Sequence, residues 1–306
     1  MAIDRLDAPI RLTWTLQSGV LAPSDLEVLA RRIGEAGVFF VTLRGDFHRD
    51  PATPAVVEVL RSFGLAPVLV VPGGAAGDAC LPQGVSVHLD LTDQLLEGRH
   101  APDGVGRFCR TTPCSALSLV PLRPLLRQVP GILALAGQLG VAVHLPNVPL
   151  VDDVDGLAPL VPRASDLSVL AEALQNVDRS VWPDQIVAHD LFVWELLFPG
   201  RDREHYLGCQ AGNSLAHLAC DGTLHPCISW PLPLGSLFDS DLPTLWSGAG
   251  RRAVLESLAQ TPDGCHSCRM LPRCHGGCRG LVQTLAGENQ APDLLCAGPV
   301  PDGNTS

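Results

Sequence analysis

CHSCRMLPRCHGGC, residues Cys265–Cys278, packs four cysteines into fourteen positions as C-x2-C-x5-C-x3-C. Upstream, Cys209 is followed by twelve residues, Gly222, four residues and Cys227; downstream lies Cys296. Thiolates are soft ligands, and spacers of two to five residues let neighbouring sulfurs converge on one metal centre. Cys220-Asp221-Gly222, followed by Thr-Leu-His-Pro-Cys227, predicts a hairpin whose Asp-Gly turn returns Cys227 beside the strand leading from Cys209. In Cys274-His-Gly-Gly-Cys278 the two glycines let backbone amides approach a bound cluster.

The 306 residues suffice for one large domain and a small one, and with 46% hydrophobic residues a sizeable core can form. A net charge of −11 argues against nucleic acid or an anionic membrane as partner, because both demand clustered cations. All 21 basic residues are Arg, which excludes a Schiff-base lysine, a P-loop lysine and a lysine general base. No apolar run reaches the length of a membrane span, and the N-terminal stretch lacks a signal-peptide core. Eleven cysteines in such a chain point to a reducing cytoplasm and to metal ligation rather than a disulfide framework.

Residues 1–200 alternate β-branched runs with helical patterns. Strands are expected at Arg11–Thr15, Val38–Leu43, Pro67–Val71, Val85–Leu91, Val141–Leu145 and Gln185–His189. Helices are expected from a Ser24-x-x-Glu27 capping box to about Gly37, over Thr53–Phe63, over Leu117–Leu139 with a break at Pro130, over Ser165–Gln175 with a serine cap, and over Leu191–Phe198. The pattern is α/β: a partial (β/α)6 barrel, open rather than eight-fold. Two long connections interrupt it, Glu97–Ala116 with Cys109 and Cys114, and Pro146–Ala164 with Asp152, Asp153 and Asp155. From residue 201 to 306 the chain turns Cys-, Gly- and Pro-rich, and such a segment needs bound metal to hold its shape.

At these residues the chain resembles the SPASM domain, the C-terminal extension of many radical S-adenosylmethionine (SAM) enzymes that mature peptides. YLGCQAGNSLAHLACDGTLHPCISWPLPLGSL, LPTLWSGAGRRAVLESL and CHSCRMLPRCHGGCR carry the resemblance. It implies two auxiliary [4Fe–4S] clusters, the first held by Cys209, Cys227 and Cys278, the second by Cys265, Cys268, Cys274 and Cys296. Family members that supply an extra cysteine do so where this chain reads Gln210–Leu215, which leaves Cys220 as the nearest spare thiol. Spacing alone also accommodates two zinc sites.

The same resemblance calls for C-x3-C-x2-C after the first strand, to hold the cluster that chelates SAM. After IRLTWTL this chain reads Gln17-Ser18-Gly19-Val20-Leu21-Ala22-Pro23, and the motif occurs nowhere in it. The family's Gly-Gly-Glu-Pro after strand two appears as Arg44-Gly45-Asp46-Phe47, a long cation where a glycine admits the ligand. The expectation is therefore a degenerate barrel that binds no SAM. Other motifs carry less. Cys109 and Cys114, with Cys80 elsewhere, are read as incidental thiols. Gly73–Gly77 is read as a turn, and the acidic run as a solvated loop rather than a hard-cation site. His189 is read as a core histidine and Asp190 as a helix cap.

The expected role is that of the accessory SPASM protein in Geobacter-type peptide modification systems: electron relay, peptide presentation or scaffold. Its implied partners are an active radical SAM/SPASM enzyme, a PqqD-like peptide-binding protein and a precursor peptide. The alternatives are an active radical enzyme using a non-standard cluster and a zinc-stabilised binding module.

Overall fold

The computed structural model describes residues 6–75, 81–99, 102–201, 203–204, 206–287 and 291–300. Seven parallel strands run through its first two-thirds: β1 (Arg11–Leu16), β2 (Phe40–Gly45), β3 (Val68–Pro72), β4 (Ser86–Asp90), β5 (Cys114–Ser118), β6 (Ala142–Leu145) and β7 (Ile186–Ala188). Three more follow, β8 (Leu215–Leu218), β9 (Thr223–His225) and β10 (Gly235–Ser236). Among the described residues they form one ten-stranded sheet in the order β10-β9-β8-β1-β2-β3-β4-β5-β6-β7. β8 lies parallel to β1, with Thr13 opposite His217, and only β9 runs against the other strands, pairing antiparallel with both β8 and β10.

The helices between strands are α1 (Pro23–Glu35), α2 (Thr53–Ser62), α3 (Thr92–Leu96), α4 (Pro102–Thr111), α5 (Val129–Leu139), α6 (Val154–Leu157), α7 (Leu167–Ala173) and α8 (Leu191–Leu197). Beyond β10 come α9 (Leu242–Trp246), α10 (Ala249–Ala259), α11 (Leu271–Cys274) and α12 (Arg279–Ala286). Leu26, Leu29, Ala30 and Ile33 form the buried stripe of α1, spaced at one helical face. They meet strand residues such as Leu12, Trp14 and Leu43, all nearly or fully buried. The core does not stop at the Cys-rich segment: Leu218, Leu224, Leu237, Trp246 and Leu281 belong to the same cluster as the barrel strands.

An α/β partial barrel is present, with differences from the sequence reading. β5 falls partly inside the expected Glu97–Ala116 connection and partly inside the expected Leu117–Leu139 helix. It adds a strand between β4 and β6, so the sheet of residues 1–200 has seven strands rather than six. Ala116, Leu117 and Ser118 are all buried, and a continuous apolar stretch gives no period to separate strand from helix. Pro130 lies in the first turn of α5, where its missing N–H is harmless, and does not break a longer helix. Ser24 is inside α1 behind an Ala22 cap, and Ser165 lies in a short 3-10 turn ahead of α7. Gly73–Ala75 is a 3-10 turn; Cys80 and the end of that glycine run lie outside the described residues. No helix among the described residues is long and apolar enough to cross a membrane.

One backbone constraint sets the mouth of the barrel. Gly45, the last residue of β2, has φ +100°, and a Cβ there would lie 2.2 Å from the Leu16 carbonyl oxygen on β1. Gly64 has φ +79° but faces open space. Gly45→Ala is expected to destabilise the fold by about 3 kcal/mol or more, and Gly64→Ala by about 1 kcal/mol. Urea denaturation of the two variants beside the parent checks the difference; equal costs would contradict it.

Candidate iron–sulfur centres and the barrel mouth

β8 and β9 form the expected hairpin, closed by an Asp221 Oδ1 that accepts from Thr223 N at 2.9 Å. His217 pairs with His225, so Cys227 folds back past the start of β8 towards Cys209. Gly212 N donates to Pro226 O at 2.8 Å and holds the two ends together. Cys278 joins them from the start of α12. Burial pushes the Cys227 thiol up to about 12, with Cys209 adding to the shift. Cys278 is raised well above its ordinary value by burial and then by Cys209, Asp293 and Cys227. These three thiols are one electrostatic group.

The other four cysteines are a second group. Burial raises Cys265, and Cys274, Cys296 and Cys268 raise it further. Cys274 is raised by burial, with Cys268 and Cys296 contributing. Thiols gathered this closely, with Cys227, Cys265 and Cys278 buried and the other four half-buried, fit soft-metal ligation. Among the described residues, no three His, Cys, Asp or Glu side chains close around a single ion-sized point.

Cys220 does not complete the first group. Cys220 and Cys227 sit at opposite ends of the β8–β9 hairpin, about 17 Å apart at about 3.4 Å per residue. Its thiol instead lies 3.7 Å from Gln17 Oε1, at the C-terminal mouth of the barrel. Cys109 and Cys114, from the end of α4 and the start of β5, hydrogen-bond to each other and are remote from both groups. That hydrogen bond, and then burial, keep the Cys114 thiol well above its ordinary range.

Several residues around the thiols are not evident from the sequence. Asn147 Nδ2 donates to Cys278 Sγ at 3.3 Å, Gly298 N to Cys296 Sγ at 3.4 Å, and Val300 N to Cys268 Sγ at 3.2 Å. Such N–H donors stabilise charge on sulfur and tune a cluster's potential. Asp293, 7% exposed, accepts from Cys278 N at 2.5 Å and from Leu295 N at 2.7 Å, which ties the Cys278 and Cys296 loops together. Gly277 makes room for it: with φ +72°, a Cβ there would lie 2.2 Å from Asp293 Oδ2. Arg279 is 4% exposed and lies within electrostatic reach of Cys209 and Cys278 in one group and Cys265 in the other. Its Nη1 donates to Ala291 O at 2.8 Å, while its buried Nε has no partner. A buried cation between two thiolate groups and an orphaned donor beside them fit a pair of anionic clusters. The only sequence signal for Arg279 was its place directly after Cys278.

A pocket of about 410 Å³ opens on Cys209, Gly277 and Cys278 and is walled by Asp190, Arg203 and Tyr206. Asp190 caps α8, accepting from Phe192 N at 2.7 Å and Val193 N at 3.0 Å, as its sequence position implied. Burial and then Asp293 push its carboxyl up to about 7. His189 is half-buried and lines the same pocket rather than the core, and desolvation pushes its imidazole down to about 4.

At the mouth, Arg44 Nη1 donates to Asp152 Oδ2 at 2.5 Å, and Thr15 Oγ1 donates to Asp152 Oδ1 at 2.9 Å. His217 Nε2 stands 3.4 Å from the same Oδ1. Ser18 N donates to Asp46 Oδ1 at 2.6 Å and pins the Gln17–Pro23 loop to the end of β2. Asp152 is thus a paired carboxylate and not part of a solvated acidic loop; Asp153 caps α6. Among the described residues the mouth offers the single thiol Cys220, whereas the cluster that chelates SAM needs three. Burial alone would raise Asp152, but His217, Arg44 and Thr15 overcome it and hold the carboxyl below its ordinary 3.8. A carboxyl lowered in the fold adds stability above about pH 4, and that stability is lost as pH falls through the folded value. Asp152→Asn is expected to cost about 1–3 kcal/mol at pH 7. The gap to the parent should narrow below pH 4, as read by urea denaturation at pH 7 and pH 3.

Comparison with known proteins agrees with this geometry. Residues 209–274 match the model of SPASM, the iron-sulfur cluster-binding domain. No curated protein sequence matches the chain. Among solved structures, native anSMEcpe with bound AdoMet is similar over 94% of both chains, at 13% identity and a TM-score of 0.63. Hexahistidine-tagged anSMEcpe with bound AdoMet is similar over the same shares, at 14% identity and a TM-score of 0.61. Residues 209–274 thus match the SPASM domain, and the fold of the chain is similar to that of anSME, a radical SAM/SPASM enzyme.

Proposed function

We propose that this chain is an iron–sulfur accessory protein of a radical SAM peptide-maturation system and does not itself cleave SAM. Residues 1–200 would serve as a retained barrel scaffold and residues 201–306 as the cluster-bearing part. The observation that carries this reading is the contrast between the two ends of the barrel. At one end seven cysteines are gathered as a three and a four; at the other, Arg44 and Asp152 pair across the mouth above a thiol-free Gln17–Pro23 loop.

Cys209, Cys227 and Cys278 would hold one [4Fe–4S] cluster, and Cys265, Cys268, Cys274 and Cys296 the other. When bound, such clusters supply one-electron storage and transfer. The chain's own residues hold the thiols in place and set their electrostatics. Asn147, Gly298 and Val300 donate to three of the sulfurs; Asp293 locks the two loops; Arg279 places one buried cation between the groups. The first group would draw three thiolates from this chain, and the pocket walled by Asp190 and Tyr206 adjoins two of them, Cys209 and Cys278.

The partners this reading implies are an active radical SAM/SPASM enzyme, a PqqD-like protein and a precursor peptide, in the cytoplasm. A barrel that shares its ancestry with the active enzyme's barrel could pair with it pseudo-symmetrically, an argument by analogy of fold.

Anaerobic reconstitution with iron and sulfide, followed by incubation with SAM and a strong reductant, tests the reading. No 5′-deoxyadenosine is expected above the protein-free background. Formation of 5′-deoxyadenosine by this protein alone would overturn the accessory role and favour an active enzyme using a non-standard cluster.

A further inference from the structure

Cys109 and Cys114 belong to neither thiol group, and the fold sets them against each other. α4 lays Val105 and Phe108 into the core and ends at Thr111, where Pro113 forbids another turn. Thr112 N donates to Phe108 O at 2.9 Å and Cys114 N to Thr112 O at 2.7 Å, so the chain passes directly from helix into β5. Cys109, in the last turn of α4, and Cys114, the first residue of β5, thereby come into side-chain hydrogen-bond contact.

The start of β5 is irregular. In the β4–β5 register Val87 stands opposite Cys114 and His88 opposite Ala116, which leaves Ser115 as an extra residue. Such a bulge re-aims the side chains beside it. Cys114 Sγ lies 3.4 Å from Ala116 O, across the bulge. Both thiols are half-buried, while Arg110, Thr111, Pro113 and Ser115 around them are exposed, so a small reagent can reach the pair. β5 is five strand steps from β8, roughly 24 Å along the sheet at about 4.8 Å per step. The pair therefore stands apart from the thiols that precede and follow the β8–β9 hairpin.

The two thiols are not equivalent. The hydrogen bond from Cys114, with the Arg110 charge adding to it, draws the Cys109 thiol below its ordinary 9.0 against the opposing effect of burial. The same contact, and then burial, push the Cys114 thiol up. Disulfide exchange proceeds by attack of a thiolate on a disulfide sulfur, so the more acidic of two adjacent thiols attacks and the other resolves. Contact, access and asymmetry thus coincide at one pair.

We propose that Cys109 and Cys114 are a redox-exchanging dithiol, a modification site for the disulfides of small thiols, with Cys109 as the attacking sulfur and Cys114 as the resolving one. Cys109 gives its proton to solvent and attacks one sulfur of RSSR, forming Cys109–SR and releasing RS⁻. Cys114 then gives up its proton and attacks Cys109 Sγ, which forms the Cys109–Cys114 bond and releases the second RS⁻. Each RS⁻ takes up a proton, so two cysteine thiols and RSSR become one protein disulfide and two RSH, with two electrons passing to RSSR. In a reducing compartment such a pair senses redox poise rather than serving as a permanent staple. The site is independent of cluster type, of electron relay and of any partner.

Anaerobic equilibration of the cluster-loaded protein with graded ratios of oxidised to reduced glutathione, followed by acid quench, alkylation and tryptic mass mapping, tests it. Cleavage after Arg110 separates the two cysteines, so their disulfide is read as a linked pair of peptides. A single two-electron transition to the linked pair is expected, with iron content unchanged. Brief treatment of the reduced protein with iodoacetamide at pH 7 should label Cys109 about tenfold or more faster than Cys114. In Cys114→Ser the glutathione adduct should persist on Cys109, whereas in Cys109→Ser the remaining Cys114 should stay largely unmodified over the same interval. Equal iron content in parent and variants shows that each is folded. No linked pair at any ratio, a glutathione adduct that accumulates on Cys109 of the parent without closing onto Cys114, or equal labelling of the two thiols would overturn the proposal.

Discussion

The parallel pairing of β8 along β1, Arg11 with Leu215 through Trp14 with Leu218, decides which end of the molecule each cysteine occupies. Because β8 runs with the barrel strands, Cys209 enters at their N-terminal end and Cys220 leaves at their C-terminal end. The return along β9 then brings Cys227 back to Cys209. The split between a thiol-rich floor and a thiol-poor mouth follows from strand direction. The ladder also merges the Cys-rich segment with the barrel core, and Arg32 of α1 donates to the carbonyls of Leu237 and Ser240 to fasten the far side of that segment.

The two thiol groups illustrate how polar features can be concentrated in a buried region. Burial raises Cys227, Cys265, Cys274 and Cys278, so a fold that gathers these thiols gains little from the gathering itself. Bound metal changes that balance, because deprotonated sulfur, the donors from Asn147, Gly298 and Val300, and the Arg279 cation then act together. The mouth differs: Arg44 and Thr15 both donate to Asp152, and His217 Nε2 stands 3.4 Å from the same carboxylate.

Much of this was legible from residue order. The Asp-Gly turn anticipated the β8–β9 hairpin, and Asp190 caps α8 as its place before Leu191–Leu197 implied. What stayed hidden depends on through-space contacts. β5 was missed because Ala116, Leu117 and Ser118 are buried on both faces and lack alternation. Cys220 looked like a spare ligand because it is close in sequence to Cys227, yet Cys220 lies at the turn of the β8–β9 hairpin and Cys227 at its open end. Asp152 read as one of three solvated carboxylates, since no local pattern reveals an arginine 108 positions upstream. Asn147 and Asp293 meet Cys278 from residues 131 and 15 positions away, separations that no spacing motif contains.

The central claim is that seven thiols in two groups hold two iron–sulfur clusters on a barrel without a third. Iron and acid-labile sulfide analysis of the anaerobically reconstituted protein, combined with Mössbauer spectroscopy, tests this most directly. The account predicts about eight iron and about eight sulfide per chain in two spectroscopically distinct [4Fe–4S] environments, one bearing an iron site without thiolate. Two zinc ions with no sulfide, or about twelve iron, would contradict it.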